Sequence, residues 1–282
     1  MSLVGSLADL LWGTPVYTYG VKAYQSAVNA YLRVSPTYRL AVDDASAVFY
    51  PATFMEWNNI ENRIWDEEAV LRHLLAHIEE DDVFYDVGAN IGIYCCLVDS
   101  LLTDGTVVAF EPYPPNVERL RVNLAANGIE TPIQQRPLSD RIETATFYLY
   151  DTDEAGAQHG SLDTIYPSSD PIGSFSTETV AGDRLVERGE IPAPTVVKID
   201  VQGTGPAVID GLAESLSADR CRFVYVEAHD NAEQLRTRLQ NLGFSTVTLR
   251  VDRPGKDPTI VGYRKDADLR TSDAETASTA VF

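Results

Sequence analysis

The sequence predicts an α/β fold: a doubly wound, mostly parallel sheet with helices on both faces, preceded by an N-terminal helical extension. Three observations carry this prediction. From Val83 onward, short apolar runs alternate with stretches of helical period. The segment Asp86-Val87-Gly88-Ala89-Asn90-Ile91-Gly92 falls where the first run meets the first helix, and the acidic residue Glu111 closes the second run. In sheets of this kind ligands bind beyond the carboxyl ends of the strands, where these residues fall.

The elements follow in order. Met1 to about Ala45 is rich in Tyr, Leu and Val at helical spacing, as in Leu7, Leu10, Leu11 and then Tyr24, Val28, Tyr31; residues 1–66 read as an accessory, partly helical region. The core domain, residues 67–263, opens with Val70, Leu71, Leu74, Leu75 and Ile78, an i, i+3, i+4 stripe. Val83 to Val87 is the first strand, Ile91 to Leu102 a helix and Thr106 to Phe110 the second strand. Asn116 is the expected N-cap of a helix carrying Val117, Leu120 and Leu124, with Gly128 as its left-handed end. Ile133 to Pro137 and Ala145 to Tyr150 read as strands.

Asp151 to Thr179 is polar, with Gly156, Gly160, Pro167, Pro171 and Gly173, and reads as a long loop expected to cover a substrate. Thr195 to Ile199 is a strand, Pro206 to Leu216 a helix opened by proline, and Arg222 to Val226 a strand. Asn231 with Gln234 gives a capping-box start to a helix bearing Leu235, Leu239 and Leu242 and closed by Gly243. Ser245 to Val251 and Thr259 to Tyr263, separated by Pro254-Gly255, predict a hairpin. Residues 264–282 are polar and read as a disordered tail.

Composition narrows the function classes. The 282 residues are 44% hydrophobic, with no apolar stretch of the roughly 20 residues a membrane span requires. The N-terminus lacks the charge and cleavage pattern of a signal peptide, and the three cysteines offer neither a disulfide set nor C-x-x-C spacing. A cytoplasmic chain with reduced core cysteines is the expectation. The outlying number is the net charge of −20, which repels nucleic acid phosphates and is spread from Asp43 to Glu275. That spread predicts a halophilic surface, because concentrated salt screens its self-repulsion.

The chemistry begins at the glycine loop, where residues without side chains let the backbone approach a ligand. A carboxylate at the strand tip, Asp86, would repel a pyrophosphate but attract ammonium and sulfonium charges. The G-x-G-x-x-G order of dinucleotide sites is missing, with glycines only at 88 and 92. Glu111 can accept hydrogen bonds from both ribose hydroxyls of an adenosine.

Four segments in order, Asp86 to Gly92, Phe110-Glu111-Pro112, Leu138-Ser139-Asp140 and Lys198-Ile199-Asp200-Val201-Gln202-Gly203, resemble the FkbM family of S-adenosylmethionine-dependent methyltransferases over roughly Glu67 to Val261. The resemblance implies a class I, Rossmann-like sheet of seven strands in which the final hairpin supplies one antiparallel strand. It implies S-adenosyl-L-methionine as cofactor and O-methylation of hydroxyls on sugars, glycolipids or polyketides. Within the cofactor loop that ends at Gly92, Asp86, Gly88 and Asn90 would line the methionine part; Glu111 would hold the ribose, and Ser139 with Asp140 the adenine edge. One departure is Gln202, where the family usually has an acidic residue.

Methyl transfer to oxygen needs a base near the acceptor and otherwise mainly alignment. Asp200, Glu227 and His229 follow strand ends and are the candidate catalytic residues; His159, in the long loop, is a weaker one. No spacing marks a dedicated metal site, so no metal is expected, although Asp200, Glu227, His229 and Asp230 could converge on a divalent ion. The competing readings are a nicotinamide-dependent, sugar-modifying oxidoreductase and a non-catalytic S-adenosylmethionine-binding module. Nucleic acid methylation lacks its basic face, which leaves a hydroxyl-bearing small molecule or glycan as the expected partner.

Overall fold

The computed structural model describes residues 15–150, 152–162, 170–249 and 257–265. The sequence expectations at Leu7 to Leu11, Pro167, Pro254-Gly255 and the tail from 266 lie outside them. The chain runs α1 (Pro15–Leu32), β1 (Tyr38–Val42), β2 (Ala45–Phe49), α2 (Phe54–Asp66) and α3 (Glu68–Ala76). Then come β3 (Val83–Val87), α4 (Ile93–Asp99), β4 (Thr106–Phe110), α5 (Pro114–Ala126), β5 (Ile133–Gln134), β6 (Thr144–Leu149), β7 (Gly160–Ser161) and β8 (Gly173–Glu178). It ends with α6 (Gly182–Glu187), β9 (Val196–Ile199), α7 (Gly205–Gly211), α8 (Ala213–Ser217), β10 (Phe223–Glu227), α9 (Ala232–Asn241), β11 (Ser245–Leu249) and β12 (Thr259–Tyr263).

Seven strands form one sheet in the order β11-β12-β10-β9-β3-β4-β5. Only β12 runs antiparallel to its neighbours; β10, β9, β3, β4 and β5 pair in parallel. This is the doubly wound, mostly parallel architecture that the sequence predicts. Strands buried on both faces read as continuous apolar runs, and period-2 alternation sorts their side chains into two cores. Phe84, Val196, Phe223 and Tyr225 pack with α3 and α4 on one face, whereas Tyr85, Val87, Val197 and Val224 pack with α6 to α9 on the other. The chain leaves β3 toward β4 in one direction and later returns through β9 in the other, so the topological switch point lies between β3 and β9.

The structure departs from the sequence reading in several places; the helix expected over Pro206 to Leu216 breaks at Leu212 into α7 and α8, and Asn231 is the N-cap of α9 without the side-chain bond of a capping box. The region before residue 67 contains the β1–β2 hairpin, whose Leu40, Val42, Ala47 and Phe49 enter the first core. Its alternation spans only five residues per strand, too short to stand out beside helical spacing. Asp151 to Thr179 is no simple loop, because β7 and β8 flank β6 in a separate three-stranded sheet. The strand expected at Ile133 to Pro137 shrinks to two residues at the sheet edge. Asn116 is not the cap of α5, which starts at Pro114 with Tyr113 as N-cap; Asn116 is buried and bonds the segment before β7.

Candidate active site

A cavity of about 730 Å³ opens at the carboxyl ends of β3, β4, β9 and β10. Its size falls in the range of small-molecule sites. Gly88 and Asn90 line it beyond β3, Glu111 beyond β4, Asp200 beyond β9, and Glu227 and His229 at the end of β10. The cavity therefore spans the switch point.

The glycine loop is fixed by backbone geometry. Gly88 has φ +87°, and a Cβ there would stand 2.0 Å from the backbone oxygen of Asp200. Asn90 adopts the left-handed region without being glycine, at φ 51°. Its Oδ1 accepts from Ile91 N at 2.8 Å and its Nδ2 donates to Ala157 O at 2.8 Å, which together hold that conformation. Gly92 is the left-handed N-cap of α4, and a Cβ there would meet Leu120 at 2.5 Å. Gly92 thus shapes the loop from behind without lining the cavity.

Glu111 is buried, yet both of its carboxylate oxygens are used. Oε2 accepts from Asn90 N at 2.8 Å and Oε1 from Tyr113 N at 2.9 Å. Burial pushes its pKa up to about 7, against the lowering effect of these backbone donors. The loop and the ribose-candidate carboxylate are thereby one hydrogen-bonded unit.

Asp86 lies deeper than the sequence reading implied. It is buried opposite Lys198 in the sheet register, with Lys198 Nζ 3.6 Å from its Oδ1, and Cys95 Sγ donates to its Oδ2 at 3.2 Å. It borders a separate void of about 10 Å³ beneath the loop. Lys198 also reaches Asp200 at 3.0 Å and sits 4.5 Å from the centre of the Tyr94 ring, so one cation links the carboxylates of two neighbouring strands. The signal for Lys198 was present in the sequence, as the charged residue inside the apolar strand β9.

Ser139 is buried, and its Oγ lies 3.3 Å from Asp140 Oδ1; exposed Asp140 pairs with Arg141 at 3.2 Å. Leu138 and Pro137, rather than these two, line the cavity wall there. The segment from Asp153 into β7 forms a strap whose residues from Ala157 onward line one wall of the cavity. Tyr113 Oη donates to Asp153 O at 2.5 Å, Asn116 Oδ1 accepts from Gly156 N at 2.7 Å, and Ser161 Oγ donates to Gln202 O at 2.8 Å. His159 lies on this strap and lines the cavity.

At the other end Asp200, Glu227 and His229 converge, with one potential ligand atom from each within 4.8 Å of the others. His229 Nδ1 is 2.8 Å from Asp257 Oδ2, and its Nε2 is 3.1 Å from Glu227 Oε2. Burial and the neighbouring Asp200 charge raise the Glu227 pKa to about 7. For His229 burial lowers the pKa, but Glu227, Asp200 and Asp257 outweigh it and push it up to about 9. Asp230 follows in a left-handed conformation, φ 57°, and also lines the cavity. Asp257 was missed by sequence reasoning, since it stands two residues before β12 and reaches His229 through the pairing of β12 with β10.

The strand order β11-β12-β10-β9-β3-β4-β5, with β12 alone antiparallel, is the class I methyltransferase architecture. Residues 86–246, more than half of the chain, match the model of the methyltransferase FkbM domain. The chain is 33% identical over 203 residues to the hexuronic acid methyltransferase AglP of Haloferax volcanii, covering 71% of this chain and 78% of that protein. It is 30% identical over 191 residues to the 31-O-demethyl-FK506 methyltransferase FkbM of Streptomyces tacrolimicus, covering 59% and 72%. The FkbM methyltransferase structure from Methylobacillus flagellatus KT aligns over 68% of this chain and 46% of that one, at 13% identity and a TM-score of 0.47. The chain belongs to the FkbM methyltransferase family and is a methyltransferase. No helix among the described residues is long and apolar enough to cross a membrane.

Proposed function

We propose that the chain is an S-adenosylmethionine-dependent O-methyltransferase acting on a sugar hydroxyl, with a hexuronic acid residue as acceptor. The observation that carries this reading is the asymmetry of one cavity. Its β3–β4 end offers a glycine cradle and a hydrogen-bonded carboxylate, and its β9–β10 end offers a cluster able to take a proton. The residues present fit the cofactor. Gly88 leaves bare backbone on the cavity wall beside Asn90, and Glu111 lines the same wall with a carboxylate able to accept from two ribose hydroxyls. The acceptor class is supported by the relative named for hexuronic acid methylation.

When bound, S-adenosylmethionine supplies a methyl group whose bond to sulfur breaks, leaving its electron pair on sulfur, as the bond to the acceptor oxygen forms. Glu111 and the loop hold the nucleoside half. Asp86 contributes its field from beneath the loop through its pairing with Lys198. Asp200, Glu227 and His229 orient the acceptor hydroxyl, whose proton passes to this cluster. The strap from Asp153 to Ser161 covers the site and keeps water from the methyl donor. Incubation with isotopically labelled S-adenosylmethionine and a hexuronic-acid-terminated saccharide, followed by mass spectrometry, tests the assignment. Label on a uronic acid hydroxyl is the expected result; consumption of the donor with no label on any saccharide rejects the acceptor.

A further inference from the structure

We infer that the Asp200, Glu227 and His229 cluster holds a divalent cation of the Mg²⁺ or Mn²⁺ kind, which receives the anionic acceptor; the acceptor's role rests on the reading above. The first observation is the donor set. Two carboxylates and an imidazole come from the ends of adjacent strands β9 and β10, with candidate ligand atoms within 4.8 Å of one another. All three side chains are partly exposed in the cavity wall, at 15%, 18% and 21%, so an ion and its remaining ligands can enter.

The second observation is the histidine's orientation. Asp257 Oδ2, 2.8 Å from Nδ1, is placed to accept from Nδ1–H, which would leave Nε2 as the atom that ligates an ion. A carboxylate behind a histidine is the recurrent support of metal-ligating imidazoles, because it fixes the tautomer. Nε2 is buried and makes no hydrogen bond of acceptable direction, although Glu227 Oε2 lies 3.1 Å away. Without an ion, a proton on Nε2 is held by the field of Glu227 and Asp200; an ion would displace that proton and take its place among the three converging ligand atoms.

The third is charge. Among the described residues that line the cavity, Arg136 is the only lysine or arginine. It follows β5, three strands from β9, and pairs with Glu178 at 3.7 Å. A uronate brought to the β9–β10 end would meet Asp200, Glu227, Asp230 and Asp257 with no Lys or Arg lining that end. A divalent ion inverts that field and offers open positions to vicinal oxygens of the sugar. Each carboxylate gives one oxygen to the ion and keeps the other for the hydroxyl proton.

Electron paramagnetic resonance of Mn²⁺ added to the chelator-treated full chain, in concentrated KCl to suppress binding by the acidic surface, tests the site without cofactor or acceptor. The parent should bind one Mn²⁺ saturably, with a nitrogen coupling that His229→Gln removes. Glu227→Gln and Asp200→Asn should each weaken binding by at least roughly tenfold, the lower bound for losing support of a metal ligand. Added glucuronate should perturb the parent's spectrum. No saturable site in the parent, or an unchanged site and nitrogen coupling in His229→Gln, overturns the inference. Because the spectrum needs no methyl transfer, a failed acceptor assignment leaves this readout intact. A variant that does not fold is replaced by the parent's own nitrogen coupling, which surface carboxylates cannot produce.

Discussion

The two ends of the cavity handle buried negative charge in opposite ways. At the β3–β4 end, Glu111 is met by two backbone N–H groups at 2.8 and 2.9 Å, supplied by the loop and the N-cap it organises. At the β9–β10 end, Asp200 pairs with the Lys198 side chain, and Glu227 and Asp257 pair with the His229 ring. Backbone donors are part of the fold and cannot leave, so the first end is preorganised for one ligand. Side-chain partners can exchange with an ion or a substrate, so the second end is built for chemistry in which charge moves. A single fold thus keeps recognition rigid and leaves the reactive end adjustable.

The largest expected effect comes from coupling the two ends. Gly88→Ala places a methyl group 2.0 Å from the Asp200 carbonyl and demands φ +87° of a residue with a Cβ. The backbone conformation alone costs on the order of 1–3 kcal/mol. The collision adds to it and displaces Asp200. Calorimetry should show loss of S-adenosylmethionine binding together with a lowered melting temperature. If binding survives while turnover falls, the two ends are less coupled than the contact implies. Next, Glu227→Gln should lower turnover by roughly a hundredfold while cofactor affinity stays within about twofold of the parent, the pattern of a group acting only on the acceptor side. An equal loss in cofactor affinity would erase the division between the ends.

The sequence revealed this division unevenly, and for physical reasons. Gly88, Asn90 and Glu111 sit within a few residues of strand ends, so periodicity and one glycine loop located them. Asp200, Glu227 and His229 were also legible, because each follows an apolar run. Asp257 was not, since its contact with His229, 28 positions away in the sequence, depends on β12 pairing back onto β10. Asp86 was assigned to the cofactor from its place at a strand tip, but period-2 alternation turns it into the face with Phe84, toward Cys95 and Lys198. Asn116 read as a helix cap because cap preference is local, whereas its bonds to Gly156 and Ala157 are tertiary. The hairpin before residue 54 was hidden for the same reason: its strands are specified by the core they cover.

The third prediction sharpens the rigid end by pH. Glu111 has a pKa of about 7 against an ordinary 4.5, so it favours the apo fold fully below about 4.5, and that contribution is lost as pH rises through 7. Ribose hydroxyls prefer the ionised carboxylate, so cofactor affinity should rise over the same interval. The slopes therefore have opposite signs. Melting curves and calorimetry from pH 6 to 8 on the parent and Glu111→Gln should show both slopes reduced in the variant, whose affinity is lower by about 1.5 to 3 kcal/mol at the upper pH. Parallel slopes in parent and variant would assign the titration to another group. The net charge of −20 supplies a background that both proteins share, and the same melts across a KCl series should show stability rising with salt as self-repulsion is screened.

The smallest expected effect asks which end the strap serves. Tyr113→Phe removes one hydroxyl, the donor to Asp153 O, and leaves in place both the backbone N–H that meets Glu111 and the ring packed 6.1 Å from Phe175. A neutral hydrogen bond of this kind contributes about 1 kcal/mol, so the strap should open roughly fivefold more often without unfolding. Asn90, Asn116 and Tyr113 anchor the strap at the β3–β4 end, and Ser161 bonds Gln202 at the other. The loosened strap should therefore speed cofactor release while the acceptor's KM changes little. Hydrogen exchange at residues 153–157 should rise in the variant by a matching factor. A changed acceptor KM with unchanged cofactor release would move the strap's function to the β9–β10 end, and the rigid end would then owe its hold on the cofactor to Glu111 and the glycine loop alone.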